Sequence, residues 1–590
     1  MKNLKWYFDT DEGNRWLLFL IYILVVTAFT VFDCFNVYGP THFDDETEYW
    51  LFAQHLISRH FDMIFTPDLK IPPLYPLSII PAFFMPKNLV YQAVLFLDNL
   101  YSFSIIFPIY FLLRKLTENH RLSLGGAVVI LFQPLFFVNS QVMLSENLFL
   151  PLFTWATLLS FTSLSFTKPQ SDLQEPRWIE TILLGLLIGF CYLTRFITLS
   201  VIPVFLLVWW LRPFNGEKGK LLYSNKKMIH LCIMVAGIVL PVAIWVMIGE
   251  HFHLSAGQLL GFQVTPTPTT TQLSLGNVGF WVIAYAAAII FIAAPVIGPL
   301  ILSVLDFDHK QWRDDQYRWL IAVVLITGAT LAINIYHSVS APYNYPAPSK
   351  MQWRYLMILS ILFVITALTA LSRHPDYYKN IRRDVFILTV SIIFLFLSSE
   401  FVSFHSELNQ MTTGEELILN SGLGLEFVFL AAIIQLLIFI PWKRLPSLNP
   451  AILSVGFCII YLIFLPNNYS ALESWDVNIN YPVKMVVDRM LVEGDSSIYN
   501  SHLVIIYNPS IITLQYQRAR EAFMVRKFNN VELISGDAAS LYYTDESHEY
   551  LIVKVSQGDL TGRTYIVYNN IGNIPGITPP RDEFALREFK

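Results

Sequence analysis

Residues 41–57 read THFDDETEYWLFAQHLI and hold four acids within five positions: Asp44, Asp45, Glu46 and Glu48. Carboxylates grouped in this way can take a proton, hold a divalent ion or cap a helix. Asp45-x-x-Glu48 has the spacing of a capping box, and acids suit the positive end of a helix. Four acids exceed what a cap uses, because neighbouring like charges repel, so the spacing leaves both a structural and a functional reading open. Further along, Glu146 stands in QVMLSENLF, and Arg195 stands in LTRFITLS between two apolar runs. An unpaired charge there is costly, and its plain alternative is to snorkel to the interface. Asp98 interrupts another apolar run and reads equally as a buried structural acid or as a cavity-facing one. His251 and His253 form an i, i+2 pair that reads better as solvated loop residues than as metal ligands.

The elements that must position these groups are membrane helices. The chain of 590 residues is 54% hydrophobic and only 14% charged, against roughly 25% charged in soluble domains. Apolar runs long enough to cross a bilayer recur along most of its length. There is no basic stripe of the kind that binds nucleic acid, and the net charge of −5 implies no acidic partner. The four cysteines, Cys34, Cys191, Cys232 and Cys458, lie in or beside apolar runs without metal-ligand spacing and read as small buried residues. The run from Trp16 to Phe32 leads to Asp33 and Cys34 without a small-residue cleavage site, so it reads as a first span and not as a signal peptide.

The pattern predicts an α-helical polytopic membrane protein with 13 spans over 16–37, 89–113, 122–139, 146–166, 178–194, 196–211, 229–248, 277–303, 319–337, 355–371, 384–402, 424–441 and 451–466. The segment 72–86, PPLYPLSIIPAFFMP, holds five prolines and is too short and broken to cross, so it is expected to be re-entrant or interfacial. Lys and Arg concentrate in alternate connections, with five in 212–227 and four in 373–383, whereas 250–276 and 403–423 have none. That bias places the N-terminus inside and the C-terminus outside. Residues 467–590 regain charge and lose the long apolar runs. HLVIIYN, AFMVRKF, EYLIVKV and RTYIVYNN read as strands and 481–494 as an amphipathic helix, which together predict a small extracytoplasmic α/β domain. The chain thus divides into a transmembrane domain over residues 1–466 and a soluble domain over residues 467–590. In this topology the acidic knot lies just outside the membrane. Tyr49, Phe52, Ala53, Leu56 and Ile57 then form the apolar face of an interfacial helix, with Glu48, Gln54, His55, Ser58 and Arg59 on its other side.

The order of these features resembles the GT-C membrane glycosyltransferases that use polyprenyl-phosphate sugars, above all the branch of aminoarabinose transferases and bacterial protein mannosyltransferases. Asp45-Glu46-x-x-Tyr49 matches the Asp-Glu pair and following aromatic of that family's first outer loop. LKIPPLYPL is similar to its Lys-Pro-Pro segment, with Ile71 inserted between Lys70 and Pro72. Glu146 stands where the family's second outer loop bears an acid, and Arg195 and Arg354-Tyr355 resemble its later basic positions. The first half of the chain carries the resemblance best; beyond residue 375 only the layout agrees.

The resemblance implies an inverting sugar transfer outside the membrane, from a polyprenyl-phosphate donor to a hydroxyl of a lipid, glycan or protein. Such a reaction needs a base for the acceptor proton and positive charge for the departing phosphate. It assigns Asp45 as base, Glu46 to orient the acceptor or hold Asp45, and Glu146 as a second carboxylate. It assigns Arg195, Lys70, Lys350 and Arg354 to the phosphate, with Arg59 left as a surface charge. A metal is not required, because Arg and Lys can meet the charge of one phosphate; Asp44, Asp45 and Glu146 are the residues that could hold a divalent ion. The long outer loop 250–276 is expected to close over the donor.

Three other readings account for less. A transporter or lipid flippase calls for repeated halves and several mid-bilayer charges, and no internal repeat is visible. A glycan ligase using a diphosphate-linked donor lacks the early Asp-Glu pair. A receptor leaves the outer-loop acids without a shared purpose.

Overall fold

The computed structural model describes residues 10–131, 140–162, 177–212, 225–262, 274–305, 315–340, 353–373, 381–404 and 424–439, apart from short gaps at 38, 40–42, 67–68, 70 and 87–88. Beyond these it describes a few helical residues between 452 and 459 and four strands.

The helices of six or more residues are α1 (Asp11–Asn36), α2 (Phe43–Ile57), α3 (Leu74–Ile79), α4 (Val90–Phe103), α5 (Ile106–Thr117), α6 (His120–Leu131), α7 (Glu146–Phe161) and α8 (Trp178–Thr194). They continue with α9 (Ile202–Trp210), α10 (Asn225–His251), α11 (Leu275–Ile292), α12 (Ile297–Leu305), α13 (Asp315–Ser340), α14 (Trp353–Arg373), α15 (Ile381–Phe404) and α16 (Gly424–Phe439). Among the described residues, seven helical segments are long and apolar enough to cross a membrane: 11–36, 90–117, 225–251, 275–292, 315–340, 354–372 and 382–401. Their outer surfaces are apolar. Trp16, Phe19, Leu20 and Leu24 of α1 and Val239, Leu240, Ile244 and Met247 of α10 are exposed. Water would penalise such a surface, whereas lipid accepts it, and the helical backbone keeps its own polar groups paired. The protein is an integral membrane protein.

The centre of the bundle is α14, which is buried at every position from Leu356 to Leu371. Helices α5, α6, α12 and α13 pack around it, and Trp319 of α13 donates its indole N–H to Thr366 of α14 at 2.9 Å. Helix α8 lies against α10 with almost no side chain between them. A Cβ at Gly185 would meet the Met234 carbonyl oxygen and come within 3.0 Å of the Gly237 Cα, and one at Gly189 would come 2.7 Å from the Ile238 carbonyl oxygen. Small residues let membrane helices approach this closely and gain dispersion contact. The residue that follows α8 is Arg195, so this contact also fixes where that charge sits.

Several spans differ from their expected form. The segment 90–117 is interrupted at Ser104 and Ile105. The segment 277–303 divides into α11 and α12 around the short 3-10 turn Ala294–Val296, where Pro295 withholds a backbone donor. The segment 196–211 is a 3-10 turn, Phe196–Ser200, followed by the nine-residue α9. Nine residues rise only about 14 Å, half of the hydrocarbon thickness. Proline again marks the break, with Pro203 in the first turn of α9. The proline-rich segment 72–86 forms the short α3 and a 3-10 turn, Ile80–Phe84, as its composition predicts. Most of 451–466 lies outside the described residues.

Four strands follow: β1 (His502–Tyr507), β2 (Asn530–Ser535), β3 (Thr564–Tyr568) and β4 (Ala585–Phe589). They form one sheet in the order β2-β1-β3-β4, with β1 parallel to β2 and to β3, and β3 antiparallel to β4. β1 and β3 fall where HLVIIYN and RTYIVYNN place them; β2 and β4 lack a strong apolar alternation and were not expected. AFMVRKF, EYLIVKV and the helix expected over 481–494 lie outside the described residues.

Candidate active site

Helix α2 sets the acids. It begins at Phe43, two residues before Asp45, so Asp45 lies inside the first turn and does not cap it. Adjacent helical residues point about 100° apart. Glu46 therefore turns inward and is buried, while Asp45 stays 39% exposed. Tyr49, Phe52 and Ala53 are buried on the expected face, joined by Trp50, whereas Ile57 is exposed.

Three loop-and-helix junctions bring their charges to Asp45. Glu146 opens α7, Arg195 follows the end of α8 with its N–H bonded to the Cys191 carbonyl, and Arg354 sits in the first turn of the central α14. Arg354 Nη1 lies 2.8 Å from Asp45 Oδ2. Its Nε and Nη2 lie 2.7 Å and 3.2 Å from the two oxygens of Glu146. Arg195 forms a second ion pair with Glu146, and its guanidinium stacks 4.9 Å over the Tyr355 ring. Two carboxylates and two guanidiniums sum to zero charge, which is the condition for keeping such groups out of water. The exposures run from 2% for Glu146, through 10% for Arg195 and 12% for Arg354, to 39% for Asp45. Glu146 is the buried root of the cluster and Asp45 its mouth.

Tyr49 ties the cluster to α2. Its hydroxyl donates to Ser145 Oγ at 3.0 Å, and Ser145 in turn lies 3.3 Å from Glu146. Burial, then the charge of Asp45, pushes the Tyr49 phenol up, so it remains a neutral donor. Glu46 does a different task. Its carboxylate accepts from the Tyr91 hydroxyl and from the Met143 N–H, each at 3.0 Å, and so pins the loop before Ser145 and Glu146 to α2. Asp98 accepts from the Tyr75 hydroxyl at 2.8–2.9 Å, in line with a structural role; the Tyr75 ring meets Tyr49 edge-on at 4.8 Å.

A narrow cleft lies beside the cluster, lined by Glu146, Arg195, Arg354 and Tyr355 together with apolar side chains that include Phe149, Phe153 and Ile358. Guanidiniums and hydrocarbon in one lining suit an amphiphile with an anionic head.

Of the sequence-derived candidates, Asp45, Glu146, Arg195 and Arg354 come together, and Glu46 supports them. Lys70, Lys350 and the side chain of Asp44 lie outside the described residues, as do 265–271 of the long outer loop. Arg59, His251 and His253 are exposed. Among the described residues no group of three His, Cys, Asp or Glu is spaced to hold a metal. Ser145, Tyr91 and the Met143 N–H were not anticipated. Ser145 precedes an acid and so carried a faint signal; Tyr91 and a backbone donor carried none.

The fold and site thus define an integral membrane protein with a paired carboxylate–guanidinium cluster beside a cleft lined by both charged and apolar side chains. Residues 69–254 match the family model of dolichyl-phosphate-mannose-protein mannosyltransferases, and the chain resembles the GT-C membrane glycosyltransferases that use polyprenyl-phosphate sugars. Among solved structures, ArnT from Cupriavidus metallidurans bound to undecaprenyl phosphate is similar at 11% identity and a TM-score of 0.47, covering 95% of this chain and 93% of that one. An Archaeoglobus fulgidus oligosaccharyltransferase tethered to an acceptor peptide is similar at 11% identity and a TM-score of 0.37, covering 92% and 68%. No curated protein matches in sequence.

Proposed function

We propose that this protein is a glycosyltransferase that moves a sugar from a polyprenyl phosphate to an acceptor hydroxyl at the outer face of the membrane, with inversion. The observation that carries the reading is that Arg354 bridges Asp45 and Glu146 beside a cleft that Arg195, Arg354 and apolar side chains line together. In this reading the donor phosphate meets Arg354 and Arg195, and its isoprenoid runs along Phe149 and Phe153. The phosphate competes with Asp45 for Nη1 of Arg354. Donor binding therefore releases Asp45, the most exposed member of the cluster, to serve as base.

Asp45 takes the acceptor proton as the acceptor oxygen bonds to the sugar C1. The C1–O bond to phosphate breaks, its electron pair stays on the phosphate oxygen, and polyprenyl phosphate departs. The phosphate gains negative charge during this step, and two fixed guanidiniums stabilise that gain more than they stabilise the ground state. Glu146 holds both guanidiniums, and Glu46 and Tyr49 position the segment that bears Glu146. Lys70 and Lys350 are additional phosphate contacts in this reading. It assigns no metal, because a divalent cation placed between Asp45 and Glu146 would sit against Arg354 and Arg195 and be repelled. The acceptor is a lipid, glycan or protein hydroxyl. The transmembrane domain over residues 1–466 carries the catalysis, with its N-terminus cytoplasmic, as the distribution of basic residues supports. The region 467–590 is an extracytoplasmic α/β domain.

The test is a transfer assay with purified protein and a panel of polyprenyl-phosphate pentoses and hexoses. Formation of free polyprenyl phosphate with an inverted glycosidic product supports the reading. Binding of every donor without turnover would favour a flippase.

A further inference from the structure

Helix α13 is apolar on its outside but carries a polar stripe within. Thr330, Asn334 and His337 follow one another at i, i+4 and i+7, which places them on one face. Thr330 and Asn334 are buried, and Thr330 lines the cleft beside Glu146, Arg354 and Tyr355. Asn334 donates its amide N–H to the Thr330 carbonyl at 2.8 Å, so its side chain lies back over the turn that meets the cleft. Its Oδ1 is buried with no hydrogen-bond partner among the described residues. Nδ1 of His337 is in the same state, and the His337 ring lies 6.3 Å from the Tyr355 ring, in an edge-on arrangement. Tyr355 in turn lies under the Arg195 guanidinium.

Two buried polar atoms on a membrane helix, without partners among the described residues, cost free energy that the bundle could avoid with Leu or Phe. Both can accept a hydrogen bond, Asn334 through its carbonyl oxygen and His337 through the bare nitrogen of the neutral ring. They are joined to the charged cluster through their neighbours: Asn334 through Thr330, which lines the same cleft as Arg195 and Arg354, and His337 through the Tyr355 ring, which lies under Arg195. A group that presents several O–H donors close to a phosphate satisfies all three conditions.

We infer that Thr330, Asn334 and His337 form a hydroxyl-binding subsite that receives the sugar of the lipid-linked donor, an inference that rests on the proposed function. Its consequence is specificity: acceptors placed to meet hydroxyls reject a sugar that lacks them, because the buried acceptors are then left unmet.

The experiment compares binding of undecaprenyl phosphate and undecaprenyl-phosphate glucose to wild type, Asn334→Leu and His337→Phe. Asn334→Ser and His337→Gln, which keep a polar atom, guard against a packing effect, and a thermal melt of each variant confirms folding. We expect Asn334→Leu and His337→Phe each to weaken the sugar-bearing lipid by about tenfold, the size of one hydrogen bond. The bare lipid should bind as before, and the polar variants should recover some of the loss. Equal weakening of both lipids, or no weakening of either, would overturn the subsite. Failure of the wild type to bind bare undecaprenyl phosphate would instead overturn the donor reading, and the subsite with it.

Discussion

Arg354 Nη1 stands 2.8 Å from Asp45 Oδ2, although 309 positions separate the two residues in the chain. The same guanidinium holds Glu146 with its other nitrogens. One side chain on the central helix thus joins helix α2 to the start of α7, and it does so through charge.

Replacing Arg354 by Lys keeps the charge and loses the fork. A lysine ammonium cannot serve two carboxylates in one plane. Arg354→Lys should lower kcat/KM for transfer by about 100-fold, within the range for loss of one transition-state donor. Steady-state kinetics check this. A variant within twofold of wild type would remove Arg354 from the phosphate.

Glu146 lies between two arginines, so Glu146→Gln leaves two partly buried cations with Asp45 as the one carboxylate of the cluster. Breaking one side of a buried pair costs about 3–5 kcal/mol. The variant should unfold well below the wild-type midpoint in a detergent thermal melt. An unchanged midpoint would show that the arginines reach water without Glu146.

Tyr49→Phe removes one hydrogen bond, to Ser145, and keeps the ring against Tyr75. The expected stability loss is about 1 kcal/mol, with only a several-fold decrease in turnover, since Tyr49 positions the cluster. Its phenol is pushed up from its ordinary value, so the wild-type rate should show no loss attributable to phenolate formation below the usual tyrosine range. A pH–rate series on wild type and variant reads both.

Gly185→Leu places a side chain where the backbones of α8 and α10 meet. The helices must separate, and Arg195, one residue past α8, moves with them. Loss of both thermal stability and donor affinity is expected, the second reported by binding of undecaprenyl phosphate. Retained affinity in a folded variant would show that Arg195 is held by its own ion pair alone.

The membrane class and the principal charges were legible in the sequence because both rest on strong local signals. A charge inside or beside an apolar run, as at Arg195 and Glu146, must find a partner, and each did. The capping reading of Asp45 failed because α2 starts earlier than the acid pattern implies, at Phe43, and because Arg354 was 309 positions away. The breaks at Ser104, Pro203 and Pro295 were hidden by continuous hydrophobicity: hydropathy counts apolar residues and does not count backbone donors. Glu46 looked like a partner of Asp45, yet one helical step turns it into the core, onto Tyr91 and the Met143 N–H. No pattern in a single sequence announces a backbone donor as a ligand.

The central claim is that Asp45 takes the acceptor proton once the donor phosphate has drawn Arg354 away. The most direct measurement is single-turnover transfer by Asp45→Asn, with donor affinity measured on the same preparation. We predict donor affinity within a few-fold of wild type and a rate lower by about 100- to 10,000-fold, the span of general-base contributions. A rate near that of wild type, with donor bound, would contradict the account.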